Sequence, residues 1–378
     1  MLEQFLNNKP LYYTEIDYSR MPRIYNKIKS KLPKPKIVHL IGTNGKGTTG
    51  RFLAKALFSL GYKVGHYTSP HIIKFNERIW LNGKNIEDSI LDEVHTKLQS
   101  ILSKEDSDSL SYFEYTTFLG MMAFKDCEYV ILEAGLGGEY DATAVFDKVL
   151  TLVTPIDYDH EAFLGDTIGD IAITKLNAIQ KYAVITKQNY KEIETIVNSK
   201  VNCKIYQINE LLKNQDYENI EIIKNRLNLP TYLVQNLELS ISALKFFNLS
   251  YASEDFEDSK LFGRLTKYKD NVLLDVGHNT LAAKAISKEL DSKKITLIYN
   301  TYADKNYEEI LNILKPIIES VEIIEINEDR IETREKLEQC LDSLEIYYKK
   351  FETIEKDKNY LVFGSFSVVE RFLGVMGE

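Results

Sequence analysis

Cysteine is scarce in this sequence of 378 residues, which contains only Cys127, Cys203 and Cys340. The three are far apart and form no C-x-x-C pair, which argues against a disulfide framework or a zinc knuckle. We expect all three to be reduced thiols with structural roles. Glycine and proline are also few, at 18 and 8 residues, which excludes collagen-like and disordered classes.

Long apolar runs and an excess of positive charge are missing as well. No run of 18 apolar residues occurs, and the start MLEQFLNNKP lacks a basic segment followed by an apolar one. Neither a membrane span nor a secretory signal is therefore predicted, and we expect a cytoplasmic protein without a membrane partner. Lys and Arg total 47 against 56 Asp and Glu, a formal net charge of -9. Such a charge repels polyanions, so nucleic acid is not an expected partner.

The sequence does contain a regular alternation of short apolar runs and amphipathic helical stretches. Strands are predicted at residues 37–41, 63–67, 129–132, 149–153, 183–186, 272–275, 295–299, 321–326 and 360–363. The alternation is typical of α/β proteins in which helices cover both faces of a parallel sheet and ligands bind at the carboxyl ends of the strands. We predict an N-terminal parallel-sheet domain at 1–250, an acidic linker at 251–262 and a smaller Rossmann-like α/β domain at 263–378.

The segment IVHLIGTNGKGTT carries the most specific signal, because a buried strand runs into a glycine-rich loop and then a helix. Backbone N–H groups of such a loop can point at phosphate oxygens. Lys46 can reach the β- and γ-phosphates, and the Thr48 hydroxyl can bind Mg²⁺. The segment departs from the G-x-x-x-x-G-K-[ST] pattern, since Leu40 replaces its first glycine and Gly47 precedes the hydroxyl. We predict a P-loop ATPase domain whose nucleotide-binding residues include Asn44, Gly45, Lys46, Gly47 and Thr48.

A second glycine cluster follows an apolar strand that ends in Glu133, in the segment YVILEAGLGG. A carboxylate at the carboxyl end of a strand beside a P-loop is well placed to hold Mg²⁺, because this hard cation prefers oxygen ligands. The alternative is a charged residue that meets solvent at the end of its strand. The neighbouring glycines favour the metal-binding interpretation.

Three of the six histidines lie in loops that follow predicted strands: His71, His160 and His278. Such loops open at the carboxyl edge of a sheet, where a nucleotide site needs acid, metal or polar substrate contacts. His39 is inside a predicted strand and His95 is on an amphipathic helix, so packing or surface roles are expected for them. The sequence favours no single role for His66.

The chain resembles the dihydrofolate synthase/folylpolyglutamate synthase family, a branch of the Mur ligase superfamily of ATP-dependent amide ligases. The resemblance runs from about residue 20 to residue 365 through HLIGTNGKGTT, TSPHIIKFNERI, FEYTTFLGMMAF, VILEAGLGGEYDAT, DYDHEAFLGDT, DVGHN, ADK and FGSF. It implies a two-step reaction in which ATP phosphorylates a carboxylate of a pterin substrate. The amine of L-glutamate then attacks the acyl phosphate to give an amide, ADP and phosphate.

The resemblance also implies which molecules take part. The substrate to be extended is dihydropteroate, tetrahydrofolate or both, and the others are ATP and L-glutamate. Two Mg²⁺ ions are expected, with a monovalent cation as a further candidate. All expected partners are small molecules, and the family precedent implies a monomer.

Residue roles follow from the resemblance. One Mg²⁺ is expected at Ser69 and Glu133, close to Thr48. The second is expected at Glu133, His160 and Lys175, with the lysine carbamylated. A lysine, whose ordinary pKa is about 10.4, reacts with CO₂ only when it is desolvated or lies near cations. The alternative for Lys175 is an ordinary lysine on a helix surface.

The remaining assignments cover ATP, glutamate and pterin. Further residues expected at ATP are Asn236, Arg264 and Asp275. Those expected to bind glutamate are Arg78, His278 and Ser365. The expected catalytic residues are Lys46, Lys175 and His278. The pterin is expected near segment 16–20 and the turn after the second glycine cluster, at Asp17, Arg20 and Asp141.

Alternatives remain for the substrate and for the activity. Glu139 and Ala144 stand where the family usually has arginine and asparagine, which leaves the choice between dihydropteroate and longer folates open. Another Mur-type amino-acid ligase is the nearest enzymatic alternative, but a peptidoglycan Mur ligase would carry a UDP-sugar domain before the loop, and only 41 residues precede Gly42. A nucleotide-binding regulator that has lost catalysis is the alternative outside the enzyme class.

Overall fold

The structure is a computed structural model that describes residues 2–10, 17–291 and 293–377. The chain divides into two compact units. The first comprises Met1–Asn228 and Leu233–Ser259, and the second comprises Leu229–Tyr232 and Lys260–Glu378. The division after Ser259 falls within residues 251–262. The predicted boundaries did not anticipate that the short segment Leu229–Tyr232 groups with the second unit.

Eight strands form the sheet of the first unit: β1 (Lys36–Ile41), β2 (Val64–Tyr67), β3 (Ile79–Leu81), β4 (Lys84–Asn85), β5 (Tyr129–Glu133), β6 (Leu150–Val153), β7 (Tyr182–Ile185) and β8 (Lys204–Gln207). Their order across the sheet is β4-β3-β2-β5-β1-β6-β7-β8. All pairings are parallel except those of β3 and β4, which add an antiparallel edge. The register places Leu40 of β1 opposite Glu133 of β5. The loops that follow β1 and β5 therefore start at the same edge.

Twelve α-helices lie in the described part of the first unit: α1 (Leu2–Asn7), α2 (Arg20–Ile28), α3 (Lys46–Ser59), α4 (Asp88–Ile101), α5 (Lys104–Ser109), α6 (Tyr112–Ala123), α7 (Glu161–Leu164), α8 (Ile168–Leu176), α9 (Lys191–Ser199), α10 (Ile208–Leu211), α11 (Asn214–Leu227) and α12 (Val234–Phe246). Apolar side chains of α2, α4, α6, α8 and α9 pack on one face of the sheet. Helix α3 packs on β1, β2 and β5, and α12 packs on α3. Short 3₁₀ helices occupy Phe75–Arg78, Ala142–Val145 and Ser253–Phe256.

The sheet of the second unit has six strands: β9 (Thr266–Lys269), β10 (Val272–Leu274), β11 (Ile295–Tyr299), β12 (Ile318–Ile323), β13 (Tyr348–Lys350) and β14 (Tyr360–Phe363). Their order is β13-β12-β11-β14-β10-β9, and only the β9–β10 pair is antiparallel. Its helices are α13 (Thr280–Glu289), α14 (Tyr307–Leu314), α15 (Arg334–Ser343) and α16 (Phe366–Met376), with a 3₁₀ turn at Lys315–Ile317. A further 3₁₀ turn, Thr231–Leu233, begins in the second unit and ends in the first. The predicted α/β class, with two mainly parallel sheets, is confirmed. Among the described residues, no helix combines the length and the apolar character needed to cross a bilayer.

The acidic segment of the predicted linker packs against the first unit. The Phe256 side chain at the end of its 3₁₀ helix is fully buried. Arg226 of α11 forms ion pairs with Glu254 at 2.7 Å and Glu257 at 2.9 Å. An apolar anchor and two charge pairs thus attach this segment to the first unit.

His39, His66 and His95 are all buried. His39 is hydrogen-bonded through Nε2 to the Thr143 hydroxyl at 2.7 Å, and His95 through Nδ1 to the Tyr115 hydroxyl at 2.7 Å. His66 on β2 faces α3, where a Cβ at Gly50 would lie 2.5 Å from its Nε2. Burial lowers the pKa of both His39 and His66 well below the ordinary value. These three rings are neutral packing groups of the first unit.

Candidate active site

The loop between β1 and α3 has the geometry of a phosphate-binding loop. Gly45 is the N-cap of α3 with a φ of +92°, and the helix begins at Lys46. Lys46 Nζ donates to the carbonyl oxygens of Gly42 and Thr43, at 3.1 Å each. The N-terminus of α3 attracts an anion through its free N–H groups. At this helix end lie the residues predicted for the nucleotide phosphates: Asn44, Gly45, Lys46, Gly47 and Thr48.

Gly42 fits this loop only without a side chain. Its φ is +136°, and a Cβ would lie 2.9 Å from the carbonyl oxygen of Thr154 and closer still to the Thr154 hydroxyl. Gly42→Ala should therefore lower the free energy of unfolding by about 2–4 kcal/mol, because backbone strain and a clash with backbone atoms act together. Urea unfolding measures this loss.

Gly61→Ala is the matched control for Gly42→Ala. Gly61 also has a positive φ, at +92°, but nothing lies within 4 Å of a Cβ built there. Only the conformational penalty applies, at about 1–2 kcal/mol. If both variants lost the same stability, close packing of the loop against Thr154 would be contradicted.

Asn236 ties α12 to the P-loop. Its Nδ2 donates to the Gly45 carbonyl oxygen at 2.9 Å and to the Thr49 hydroxyl at 3.1 Å. The Ser240 hydroxyl, one turn later, donates to the Thr49 carbonyl oxygen at 2.9 Å. The predicted ATP residue Asn236 is thus brought to the loop from 191 positions away in the sequence.

Oxygen donors suited to a metal lie at the same sheet edge. Thr48 Oγ1 is buried and has no hydrogen-bond partner within the described part of the chain. Glu133 ends β5 with 5% of its surface exposed, so the solvent-facing alternative does not hold. Its Oε2 accepts hydrogen bonds from the Thr68 hydroxyl and, at 3.3 Å, from the Ser69 N–H. Hydroxyl and carboxylate oxygens are the ligands that Mg²⁺ prefers, so these residues fit the ion.

Lys175 is a buried lysine beside the P-loop. It lies near the end of α8 with 4% of its surface exposed, and its Nζ donates to the Gly42 carbonyl oxygen at 3.1 Å. Its pKa is lowered to about 7, chiefly by burial and also by the charge of Lys46, while Asp159 and Asp141 act in the opposite direction. A substantial fraction of the amine is therefore neutral near neutral pH. The helix-surface alternative for Lys175 is inconsistent with this burial.

The second glycine cluster lets α8 approach the turn that follows Glu133. A Cβ at Gly138 would lie 2.6 Å from the Lys175 carbonyl oxygen and 3.0 Å from the Lys175 Cα. The next residue, Glu139, donates its N–H to the Thr174 carbonyl oxygen at 2.9 Å. The glycine thus allows the backbone contact that places Lys175 near the loop.

His160 lies in the loop after β6, at the same edge of the sheet. It is the N-cap of α7 and has a φ of +57°. Its Nε2 lies 3.8 Å from Asp159 Oδ1. Over residues 2–10, 17–291 and 293–377, no group of three or more His, Cys, Asp or Glu side chains forms a metal cluster. Of the predicted metal ligands, only Glu133 and His160 belong to these four residue types. The others are two hydroxyl residues and a lysine that would bind a metal only after carbamylation.

Arg78 is a buried cation that contacts a neutral imidazole and an aromatic ring. Only 9% of its surface is exposed. Its Nε donates to His71 Nδ1 at 2.7 Å, and its guanidinium lies 5.3 Å from the ring centre of Tyr112. Burial and the Arg78 charge lower the pKa of His71 to about 4, so the imidazole accepts as a neutral group. No carboxylate of the described residues pairs with Arg78, which leaves its terminal nitrogens suited to an external carboxylate.

The N-terminal residues predicted for the pterin already have protein partners. Asp17 is exposed and accepts hydrogen bonds from the Ser19 N–H at 2.9 Å and the Ser19 hydroxyl at 2.6 Å. Arg20 is buried and its Nε lies 2.9 Å from Glu114 Oε2. Ile16, at the start of the predicted segment, lies outside the described residues.

Asp141 holds the turn after Glu133 in place. Its Oδ2 accepts from the N–H groups of Gly135 and Leu136, at 2.9 Å each. Its Oδ1 accepts from the Thr143 N–H at 2.9 Å and the Thr143 hydroxyl at 2.5 Å. This residue, which was predicted to bind the pterin, thus accepts four hydrogen bonds from within the protein and stabilises the turn.

In the second unit, Asp275 follows β10 with 4% of its surface exposed. Its Oδ1 accepts from the Gly277 N–H at 2.8 Å, and its Oδ2 accepts from the Leu265 N–H at 2.9 Å and the Tyr232 hydroxyl at 2.7 Å. Arg264 stacks on the Phe366 ring at 5.5 Å. No sequence pattern indicated Tyr232.

The two predicted glutamate residues of the second unit lie after neighbouring strands. His278 follows β10, and its Nδ1 is 3.2 Å from the Val276 carbonyl oxygen. Ser365 follows β14, is fully buried and caps α16 by accepting from the Val368 N–H at 3.1 Å. Because β10 and β14 are parallel neighbours, both residues leave the sheet at one edge.

Comparison with known proteins finds relatives and structural neighbours of the chain, whereas no family model matches it. Dihydrofolate synthase/folylpolyglutamate synthase of Buchnera aphidicola subsp. Acyrthosiphon pisum is 30% identical, covering 93% of this chain and 94% of the relative. The crystal structure of Helicobacter pylori folylpolyglutamate synthetase is 38% identical, with a TM-score of 0.80 and coverage of 99% and 97%. A bifunctional folylpolyglutamate synthase/dihydrofolate synthase solved with Mn, AMPPNP and L-glutamate is 22% identical, has a TM-score of 0.82 with coverage of 100% and 97%, and shares the fold.

Proposed function

Since the chain belongs to the dihydrofolate synthase/folylpolyglutamate synthase family, we propose that it is an ATP-dependent ligase that adds L-glutamate to dihydropteroate, tetrahydrofolate or both. The observation that carries this proposal is the buried Lys175, whose amine bonds to the P-loop carbonyl of Gly42. A phosphate loop alone would serve a regulator, but a buried lysine of lowered pKa beside it is suited to catalysis.

The reaction proceeds through an acyl phosphate. A carboxylate oxygen of the pterin substrate attacks the γ-phosphorus of ATP, and the bond between that phosphorus and the β–γ bridging oxygen breaks to release ADP. The glutamate amine then attacks the acyl carbon, the bond to the phosphate oxygen breaks, and the nitrogen loses a proton. The protein's task is to position the reactants and to neutralise charge, since no protein nucleophile is required.

The first unit supplies the groups for phosphoryl transfer. The N-terminus of α3 and Lys46 bind the phosphates, and Asn236 keeps the loop in shape through the Gly45 carbonyl. Thr48, Ser69 and Glu133 would hold one Mg²⁺, and Glu133 with His160 and modified Lys175 the other. When bound, Mg²⁺ neutralises charge on the transferred phosphoryl group.

Lys175 would join the metal site as a carbamate. Its neutral amine attacks the carbon of dissolved CO₂. An N–C bond forms, one C=O π bond breaks as its electron pair moves to oxygen, and the nitrogen loses one proton to solvent. The product is an anionic oxygen ligand at the end of a fixed helix. The lowered pKa favours this step, because only the neutral amine is a nucleophile.

The second unit supplies the other proposed contacts. Arg264 and Asp275 are assigned to ATP, and His278 and Ser365 to glutamate, with His278 also assigned a catalytic role. Arg78 of the first unit is assigned to a glutamate carboxylate. For the pterin we retain Asp17, Arg20 and Asp141, with Asp141 acting through the turn it braces. A cytoplasmic location agrees with the three cysteines, all of which are free thiols.

One assay tests the function directly. The protein is supplied with Mg-ATP and glutamate, and dihydropteroate or tetrahydrofolate is added in separate reactions while ADP and product mass are followed. Glutamylated product is expected with at least one substrate. ADP formed without any need for pterin or glutamate would favour a nucleotide-binding regulator. Activity on dihydropteroate alone would restrict the enzyme to dihydrofolate synthesis.

Arg78→Lys should raise the KM for glutamate about tenfold, because an ammonium cannot bind a carboxylate through two parallel bonds. The KM for ATP should change little. Steady-state kinetics with each substrate varied in turn measures both values. Equal effects on the two would remove Arg78 from the glutamate site.

Arg51→Lys is the matched control for Arg78→Lys. Arg51 Nε lies 3.4 Å from His66 Nδ1, and its guanidinium lies 5.1 Å from the Trp80 ring centre. The environment therefore repeats the histidine and aromatic neighbours of Arg78 at a position without a proposed substrate contact. The KM for glutamate should be unchanged in this variant.

A further inference from the structure

A short segment that precedes α12 is fastened to the second unit. Leu229–Tyr232 groups with that unit, although the helix that follows belongs to the first. The Thr231 N–H donates to Glu289 Oε2 at 2.8 Å, and the Tyr232 hydroxyl donates to Asp275 Oδ2 at 2.7 Å. The Tyr232 ring packs against the apolar core of the unit. Two hydrogen bonds and one ring contact thus fix where the Tyr232 hydroxyl points.

The Tyr232 hydroxyl completes the environment of a buried carboxylate. The other donors to Asp275 are the backbone N–H groups of Leu265 and Gly277, so Tyr232 is its one side-chain donor among the described residues. The charged group that faces Asp275 is Arg264, on the segment before β9. Burial raises the pKa of Asp275, whereas Arg264 and the three donors favour its charged form.

We propose that Tyr232 is a positioning residue for nucleotide binding, because it holds the Asp275 carboxylate in one orientation and in its charged form. The proposal rests on the nucleotide role given to Asp275 above. Burial and the Asp275 charge raise the pKa of Tyr232 well above its ordinary value, so the phenol stays a donor throughout the working pH range. Without the hydroxyl, the carboxylate keeps two donors that define only part of its orientation, and protonation becomes easier.

Tyr232→Phe tests the proposal with Mg-ADP as the probe. Calorimetry should give about tenfold weaker ADP binding, the expected size for loss of one hydrogen bond to a charged group. When the pH is lowered from about 8 to about 5, binding by the variant should fail at a higher pH than binding by the wild type, because Asp275 protonates earlier. The KM for glutamate should change less than the KM for ATP.

Tyr251→Phe is the matched control. The Tyr251 hydroxyl donates at 2.9 Å to Asp216, another buried carboxylate, at a position without a proposed substrate contact. This variant loses a hydrogen bond of the same kind but should bind Mg-ADP over the same pH range as the wild type. If Tyr232→Phe behaved like Tyr251→Phe, Tyr232 would have only a packing role.

A double-mutant cycle with Asp275→Asn gives a second test. Asp275→Asn should itself weaken ADP binding, and adding Tyr232→Phe should then cost less than about twofold more, since the two residues act through one contact. Additive losses would overturn the proposal. Because these measurements use binding alone, a wild-type protein that binds Mg-ADP but forms no glutamylated product would contradict the ligase function and not the role of Tyr232.

Discussion

Lys175→Ala is expected to reduce kcat for glutamate ligation about 100- to 1,000-fold. The substitution removes the buried amine that bonds to Gly42 and the carbamate proposed to hold a metal. ADP formation and glutamylated product, followed in the same reaction, measure the loss. Turnover equal to that of the wild type would remove Lys175 from the site.

Dependence on CO₂ separates a carbamate from a simple ammonium at this position. Wild-type activity should fall in CO₂-depleted buffer and recover when bicarbonate is added. Lys148→Ala is the matched control, because Lys148 is also buried, with its pKa lowered to about 8, but is bonded to the Ala144 carbonyl oxygen away from the P-loop. This control should keep the bicarbonate response. A wild type indifferent to CO₂ would contradict carbamylation.

The lowered pKa of Lys175 has opposite consequences for activity and for stability. Below about pH 7 the amine is protonated and cannot form a carbamate, so activity should fall as the pH decreases. In the unfolded chain the lysine keeps its ordinary pKa, so between the two values the unfolded state binds more protons. The penalty on folding is therefore complete below about pH 7 and disappears as the pH rises toward about 10.4.

It follows that the Lys175→Met variant should be more stable than the wild-type protein whose Lys175 carries no carbamate. The same substitution should abolish glutamate ligation. The gain near pH 7 should be on the order of 2 kcal/mol, since an apolar side chain replaces a buried amine. Urea unfolding in CO₂-depleted buffer measures it. A variant less stable than the wild type at this pH would show that the Lys175 contacts outweigh its desolvation.

Glu133→Gln is expected to lower kcat about 100-fold and to raise the Mg²⁺ concentration needed for half-maximal activity. The amide keeps the shape of the side chain and can still bond to Thr68 and Ser69, but the charge that attracts the cation is lost. A Mg²⁺ titration of initial rates separates weaker metal binding from slower chemistry.

Glu139→Gln is the matched control for Glu133→Gln. It makes the same change six residues later, where the partly exposed Glu139 accepts a hydrogen bond from Asn177 at 2.7 Å. The Mg²⁺ requirement should not move in this variant. If both variants needed more Mg²⁺, the result would be explained by a general loss of negative charge, and not by coordination of the ion by Glu133.

Most of the buried parallel strands were predictable to within one residue, whereas β12 (Ile318–Ile323) lies three residues earlier than the predicted 321–326. β11 and β14 match the predicted 295–299 and 360–363, and β1 differs by one residue. Such strands are covered on both faces, so their sequences are continuous apolar runs. The edge strands β4, β8, β9 and β13 were missed because KN, KIYQ, TKYK and YKK carry lysines and are at most partly buried. The three-residue strand β3 beside β4 was missed as well.

The candidate site was predictable where its residues are contiguous. The P-loop motif contains its strand, glycines, lysine and hydroxyl within one segment. The partners of Arg78 and Asp275 were not predictable as such. His71 stood out only as a histidine in a loop after a strand, and Tyr112 and Tyr232 have no distinctive local pattern. Tyr232 is 43 residues from Asp275 and meets it only through the packing of the second unit.

The close packing of Gly50 against His66 restricts which single substitutions the protein tolerates at position 50. A methyl group at position 50 would meet His66 Nε2 at 2.5 Å and Leu40 Cδ1 at 2.9 Å. Alanine at position 50 should therefore become tolerable only when His66 has been replaced by a smaller residue and the Leu40 side chain shifts. We expect the two positions to be epistatic, because the mutational path that changes the histidine first avoids the clash with its ring.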